Sequence, residues 1–592
     1  MSMAVMEREL VREELAEPLR RVLAWLLSLE NQPGQLICPA HQIEHTGKSA
    51  GAIVIACALA KHDPQADQDA LLDVARRVGK RLVGRLEREG ESTCFTFRPG
   101  RHDPYNCSNN VIDGGACSDA LAELVQTFGA QLSAEERESF THASVLHAQT
   151  YLRYAVMDKG VPAQKAWAMT GVAQAHSLCG HEVLELTVRE GGALIAAAQN
   201  EDGSFPYHPL DQKPGHAGAS DASGFYQSRV TAFTLFALQR AGIDPKSEAY
   251  DDSIRRGLEF LMALQGPDGR KVHGIEAKPW YWAGPYEVAS HPFDTYALAE
   301  GWRLYRKLPL ARGARLAFES WVAHLTPEGQ PRDHMADAGQ SYQCPVFWAG
   351  HASWMARALP MLEQIYQLPE PPPVVGEGLM LSVQHFAAVD MVRLEDDEIV
   401  AWVRGGRPPF NVHHGSPTGA GLLQVARKSD GELLLGRGAF GVWNEAEWIG
   451  RWGLPAPRRG WAAAGGEVRF GWWLARAAFR GARPLAALGA IPKILYRGLW
   501  RATSTRVTTA FDRTPQVQVL HDGVVLDGRM GLADGSPVPA TGFLRSFRVD
   551  GDGLVVEEHA QAAAKVRRLN YRLPKAARDV VHGEGRVSYR LS

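Results

Sequence analysis

The apolar residues of this chain change their period once, at the run Leu368-Pro-Glu-Pro-Pro-Pro. Before it, residues 22–29, 50–60, 120–128, 183–198, 231–240, 254–264, 295–304 and 351–365 carry apolar side chains at three- and four-residue spacing, the pattern of helices with a buried face. After it, residues 398–403, 421–426, 433–435, 517–520, 543–549 and 554–558 form short, often alternating runs bounded by Gly, Asp or Pro, which read as strands and hairpins. The pattern predicts an α+β chain of two domains: residues 1–368 helical, residues 374–592 an antiparallel β-sandwich, and the prolines a linker between them.

Within the helical part, six small or polar segments lead into apolar helices. They are His45-Thr-Gly-Lys-Ser, Asn109-Asn-Val-Ile-Asp-Gly-Gly, His176-Ser-Leu-Cys-Gly-His, Gly224-Phe-Tyr-Gln-Ser-Arg, His291-Pro-Phe-Asp-Thr and Gln343-Cys-Pro-Val-Phe-Trp. Intervals of about 50 to 70 residues each hold one helical hairpin. Six hairpins predict an (α/α)6 toroid whose inner helices start around one cavity; an open solenoid or an irregular bundle is the alternative.

Charge and cysteines narrow the function. Lys and Arg number 64 against 66 Asp and Glu, which argues against a dedicated nucleic-acid binder. The seven cysteines form no C-x-x-C pair, so no zinc ribbon or redox motif is expected, and neither a metal nor a cofactor. The N-terminus lacks the apolar run and small-residue cleavage site of a secretory signal, and no run of about 18 apolar residues occurs, so a cytoplasmic location is expected. The near-neutral total hides residues 458–506, where ten Lys and Arg face the single acid Glu467 among Trp472, Trp473, Tyr496 and Trp500. Such a segment suits an anionic membrane surface at the periphery of the inner membrane, an acidic polymer, or a helical insertion packed on the sandwich.

The richest chemistry lies in Gln199-Asn-Glu-Asp-Gly-Ser-Phe, followed by His208, a Gly-rich loop, and Tyr226 with Arg229 opening the next helix. That order resembles the toroid-plus-sandwich polysaccharide lyases, the chondroitin, hyaluronate and heparinase-like enzymes. The resemblance implies a fold covering nearly the whole chain and cleavage of a uronic-acid polymer by β-elimination. It implies Tyr226 as acid/base, His208 as base, and Asn109 or Asn110 with Arg229 as carboxylate binders, Asn106 lying in the same loop. The chemistry suits these residue types. The C5 proton of a uronate becomes removable once its carboxylate charge is neutralised by amides or a guanidinium, and His and Tyr can carry the proton. The heparinase-type C-terminal metal motif does not occur here. A similar Gln-x-x-Asp-Gly-Ser-aromatic element caps helices in terpene cyclases and prenyltransferases, but the one Asp-rich run, Glu395-Asp-Asp-Glu398, falls among strands.

Other residues complete the expected site. Trp280, Trp282, Tyr286 and Trp348 offer flat faces to sugar rings or to the other domain. Glu44, His45 and Lys48 are expected to line the cavity. His41-Gln-Ile-Glu44-His45 matches the H-x-x-E-H pattern, but Pro39 and Gly47 interrupt the helix a zinc site would need. Asp113, Asp119, Asp221 and Asp294 could supply a carboxylate pair for glycoside hydrolysis, although Asp113 and Asp294 also suit N-caps, Asn109 and Asn110 suit capping, and Arg229 suits an ion pair with Asp221 or Asp294. The expected partner is an acidic polysaccharide or oligosaccharide, not nucleic acid. The expected function is a carbohydrate-active lyase; a uronate epimerase, a glycoside hydrolase, or a non-catalytic glycan-binding or assembly factor of exopolysaccharide biosynthesis and export are the alternatives.

Overall fold

The computed structural model describes residues 3–39, 42, 44–95, 108–206, 224–272, 286–287, 290–331, 345–369, 381–406, 420–436, 446–452, 506–512, 514–532, 536–562 and 566–592. Its first part is helical: α1 (Met3–Leu27), α2 (Thr46–His62), α3 (Gln68–Val83), α4 (Ser108–Phe128), α5 (Ala134–His147), α6 (Arg153–Asp158), α7 (Pro162–Cys179), α8 (Glu182–Ala197), α9 (Gly224–Arg240), α10 (Asp251–Leu264), α11 (His291–Tyr305), α12 (Leu308–Ala323) and α13 (Pro345–Tyr366). Burial sorts these into two layers. Every residue from Thr46 to Leu59 of α2 and from His291 to Trp302 of α11 is buried, whereas α3, α8 and α12 bury one stripe. The all-round-buried helices form a ring. α2 packs on α4, α4 on α7, α7 on α9, α9 on α11, α11 on α13, and α13 returns to α2. That last contact is made at two glycines: a Cβ on Gly51 would lie 2.3 Å from the Gly350 carbonyl oxygen.

The third hairpin corrects the sequence reading. His176 to His181 is not an inner-helix entrance. Gly180, at φ +67°, caps the C-terminus of α7 and turns the chain into α8. The inner helix begins at Pro162, a residue suited to the first turn because its missing N–H has no intrahelical partner there.

A repeated turn closes the outer layer. After α1, α8, α10 and α12 come Gly34, Gly203, Gly269 and Gly329, at φ between +75° and +90°. Each sits on a backbone carbonyl of the next outer helix: Arg77 in α3, Arg256 in α10, Leu316 in α12 and Arg21 in α1, where a Cβ would come within 2.2–2.3 Å. Gln199 donates to the carbonyls of Gly203 (2.9 Å) and Ser253 (3.0 Å), and Gln265 to that of Gly313 (2.9 Å). The Gln-x-x-Asp-Gly motif is thus a clasp between hairpins, and the Gly329 clasp joins α12 to α1. Gly329→Ala is expected to cost about 2–4 kcal/mol, from the left-handed conformation plus the clash. Gly90→Ala, at φ +60° with open space around it, should cost only about 1 kcal/mol. Chemical denaturation measures both; equal losses would show that the clasp contact adds nothing.

Two-stranded hairpins β1 (Glu30–Gln32) with β2 (Gln35–Leu36), β3 (Leu86–Glu89) with β4 (Ser92–Phe95), and β5 (Lys271–Val272) with β6 (Tyr286–Glu287) follow α1, α3 and α10. The second part is antiparallel β. β7 (Ser382–Phe386), β8 (Met391–Glu395), β9 (Ile399–Arg404), β10 (Gly421–Arg427) and β11 (Leu433–Gly436) form a five-stranded meander. β12 (Glu447–Trp452), β13 (Arg506–Thr508), β14 (Gln516–Val519), β15 (Gly523–Gly528), β16 (Gly531–Leu532), β17 (Gly542–Val549), β18 (Leu554–Gln561), β19 (Val566–Arg572), β20 (Arg578–Gly583) and β21 (Arg586–Leu591) build a four-stranded sheet ordered β16-β13-β12-β19 and a six-stranded sheet ordered β14-β15-β17-β18-β21-β20. Val392, Leu394 and Val403 of the meander share one core with Val524, Phe547 and Val556 of the six-stranded sheet. Contacts tie this part to the clasps: Asp202 accepts from the Ala388 N–H (2.8 Å), Arg270 donates to the Gly431 carbonyl (3.3 Å), and the Trp402 indole donates to the Ala263 carbonyl (2.8 Å). Of the basic aromatic segment only Arg506 lies within the described residues, bonded to Glu447 in β12 at 3.3 Å. Among those residues no helix is long and apolar enough to cross a membrane.

Candidate active site

The inner helices start at one end of the ring, and their first turns converge there. From α2, the Lys48 ammonium stands 3.4 Å from Asp113 of α4, 4.9 Å from the ring centre of Trp167 on α7 and 4.7 Å from that of Phe347 on α13. From α9, the Arg229 guanidinium lies 4.2 Å above Phe293 of α11 and 5.9 Å from Trp167. It donates to Ser290 Oγ (3.1 Å) and to His351 Nδ1 on α13 (3.4 Å). His351 in turn packs against Phe347, Phe293 and Trp348 at 4.3, 4.9 and 5.8 Å. Two buried cations and a buried imidazole therefore stand among four aromatic rings, those of Trp167, Phe293, Phe347 and Trp348. Burial lowers the pKa of Lys48, with Asp113 opposing and Arg229 adding to the shift. Burial, then Arg229 and Lys48, push that of His351 far down, so the imidazole is neutral. Six helix N-termini at this end add positive potential.

Below this cluster the ring is filled. Phe233, Phe236, Phe293, Tyr296 and Trp354 pack ring to ring. At the C-terminal ends of the inner helices lies a charged network: Arg357 holds Asp119 at 2.7 and 2.9 Å, Gln174 donates to Asp119 (3.0 Å) and Glu123 (2.9 Å), and Lys61 pairs with Glu123 at 2.6 Å. The aromatic layer and this network leave the N-terminal end as the chemically equipped one.

The structure brings Lys48, Asp113, Arg229 and Trp348 together. Tyr226 is buried in the first turn of α9, one turn before Arg229. His45 is buried at the N-cap position of α2. Other residues serve differently. Asn110 is a staple to the hairpin before its helix: its amide donates to the Thr93 carbonyl (3.2 Å) and accepts from the Phe95 N–H (3.3 Å). Glu44 is held by Arg81 (2.8 Å) and Arg85 (2.5 Å). Asp113 and Asp294 lie inside α4 and α11, past the cap positions. Asp294 pairs with the buried Lys271 of β5 at 2.7 Å. Each described member of the expected carboxylate set is thus held by a cation: Asp113 by Lys48, Asp119 by Arg357, Asp294 by Lys271. His208, Asn106, Asp221, Trp280 and Trp282 lie outside the described residues, as do the side chains of Asn109 in α4 and Tyr286 in β6.

Trp167, Phe293 and Lys271 were absent from the expected site, and His351 figured only as the start of a helix. Trp167 follows from the misplaced third hairpin; the signal that locates it is Val161-Pro162 ahead of an apolar run. Lys271 gives no sequence signal, since its partners Ser228 and Asp294 come from separate helices.

No protein-family model and no curated protein matches the sequence. Among solved structures, a variant chondroitin AC lyase of Streptomyces coelicolor A3 is 13% identical, with a TM-score of 0.51 over 98% of this chain and 71% of that one. The same enzyme in complex with chondroitin sulphate gives 14% identity and a TM-score of 0.49 over 93% and 67%. A cellobiose 2-epimerase from Spirochaeta thermophila DSM 6192 gives 11% and 0.44 over 61% and 99%. At such identities the first likeness shows a shared fold, extending over nearly the whole chain, and no more than the fold.

Proposed function

We propose that this chain is a carbohydrate-active enzyme built as an α/α toroid (residues 1–368) followed by an antiparallel β-sandwich (residues 374–592), and that it cleaves a uronic-acid polysaccharide by β-elimination. The observation that carries this reading is the pair of buried cations, Lys48 and Arg229, standing among Trp167, Phe293 and Phe347 at one end of the helical ring. Aromatic faces suit sugar rings, and buried cations suit an anion brought in with them.

In the proposed reaction, Arg229 and Asn109 neutralise the uronate carboxylate, which stabilises the charge left when the C5 proton departs. His208 or Tyr226 takes that proton. The C4–O bond breaks as the C4–C5 double bond forms, and the Tyr226 hydroxyl protonates the leaving oxygen. Hydrolysis by a carboxylate pair is less well supported, because Asp113, Asp119 and Asp294 are each held by a cation. Epimerisation begins with the same proton abstraction and is separated by its product.

Ultraviolet absorbance of the unsaturated uronate, followed over a panel of uronic-acid polymers, tests the reading. Wild type should produce it, and Tyr226→Phe should lower the rate by about 100-fold or more. Reducing ends without that absorbance would mean hydrolysis. Binding without either product would mean a glycan-binding factor.

A further inference from the structure

His351 is buried, 4% exposed, on the second turn of α13. Arg229 can only donate, so His351 Nδ1 is the acceptor in their 3.4 Å contact and its proton resides on Nε2. Nε2 is buried and has no hydrogen-bond partner among the described residues. A buried N–H without an acceptor costs about 1–3 kcal/mol, and the charges of Arg229 and Lys48 both act on this imidazole. The charged groups around it are Arg229 from α9 and Lys48 from α2, the latter countered by Asp113 of α4; α7 and α11 present Trp167 and Phe293. Lys48 and His351 stand on the same ring, that of Phe347, at 4.7 and 4.3 Å.

We infer that His351 binds the carboxylate of a uronate unit by donating a hydrogen bond from Nε2–H, as a neutral imidazole, with Lys48 and Arg229 supplying the charge of the same subsite. This rests on the acidic-sugar reading above and assigns His351 to recognition, not to proton abstraction. Burial, reinforced by the two cations, pushes the pKa of the imidazole well below its ordinary value, so the neutral form is the one that binds. The Arg229 contact fixes which nitrogen carries the proton, which a free imidazole would exchange.

Calorimetric titration with glucuronate and with its neutral methyl ester tests this on wild type, His351→Phe and His351→Gln, each first checked for an unchanged melting transition. Wild type should prefer glucuronate. His351→Phe should lose about tenfold in glucuronate affinity, the loss of one hydrogen bond to a charged group, and leave the ester unaffected. His351→Gln, which keeps an N–H donor near the Nε2 position, should restore binding to within about threefold. The inference is overturned if wild type does not discriminate acid from ester, or if His351→Phe binds both as wild type does or weakens both equally. It is also overturned if wild-type affinity falls with a midpoint near pH 6.5 that His351→Gln abolishes, since the imidazolium would then be the binding form. Glucuronate binding that depends on His351, in a protein that releases no unsaturated product, would sink the lyase reading and leave this one standing.

Discussion

Arg229→Met is expected to lower kcat/KM on a uronic-acid polymer by about 100- to 1,000-fold, the effect of removing one charge-stabilising donor from a water-excluded site. Arg229 is fully buried, reaches Ser290 and His351, and lies over Phe293. No water can replace its charge there at low cost. Arg229→Lys keeps the charge but loses the planar fork that reaches two partners and stacks on a ring, so it should recover only part of the rate. The loss should fall on kcat as well as KM, because neutralising the carboxylate matters most while the C5 proton leaves. Steady-state kinetics on protein with an intact melting transition decides. A variant that keeps wild-type kcat with only a raised KM would place Arg229 in ground-state binding alone.

Arg357→Met should be the most damaging single change to stability, at about 3–5 kcal/mol, because it leaves two carboxylates in a buried network without their shared cation. Arg357 is 2.7 Å from Asp119 and 3.9 Å from Glu123, with its guanidinium over Phe236 and Trp354. The same network makes folding sensitive to acid. Burial would raise the pKa of Glu123, but Arg357, Lys61 and Arg240 outweigh it and hold the carboxyl at about 2. A carboxyl whose folded-state pKa is depressed contributes stability that is complete above its unfolded value of about 4.3 and is lost as pH falls towards the folded value. Wild-type stability should therefore decline between about pH 4.5 and 2. The gap between wild type and Arg357→Met should narrow over that range, as the stranded Glu123 carboxylate takes up a proton. Asp119→Asn in the Arg357→Met background should restore part of the loss. Urea denaturation at several pH values measures all of this; a pH-independent gap would mean that packing against Phe236 and Trp354, not charge, is what Arg357 contributes.

The change of apolar period at Leu368 was enough to separate helices from strands, because periods of 3.6 and 2 cannot both be buried by one geometry. The strand runs coincide with β9, β10, β11, β14, β17 and β18 to within one to three residues at their ends. The polar segments at His45, Asn109, Gly224 and His291 lie at the starts or in the first turns of α2, α4, α9 and α11, while Gln343 and Cys344 of the sixth lie outside the described residues. The third was misread because Gly180 and two histidines imitate an entrance while capping the opposite end of α7. That error hid Trp167, the ring on which Lys48 and Arg229 both rest. The Gln199 motif was legible as a motif but not as a clasp. Its counterparts Gln265-Gly-Pro-Asp-Gly and Leu325-Thr-Pro-Glu-Gly share its turn and not its full wording. The Lys271–Asp294 pair and the Arg229–His351 contact join residues from different elements, and their meeting depends on how the ring closes.

Mass spectrometry of a uronic-acid oligosaccharide digested by this protein in oxygen-18 water tests the central claim most directly. Elimination forms the C4–C5 double bond without adding water across the cleaved linkage. The expected products are therefore an unsaturated uronate at the new non-reducing end and a partner fragment whose linkage oxygen carries no label from cleavage. Saturated fragments with oxygen-18 built in at the cleaved linkage would contradict it.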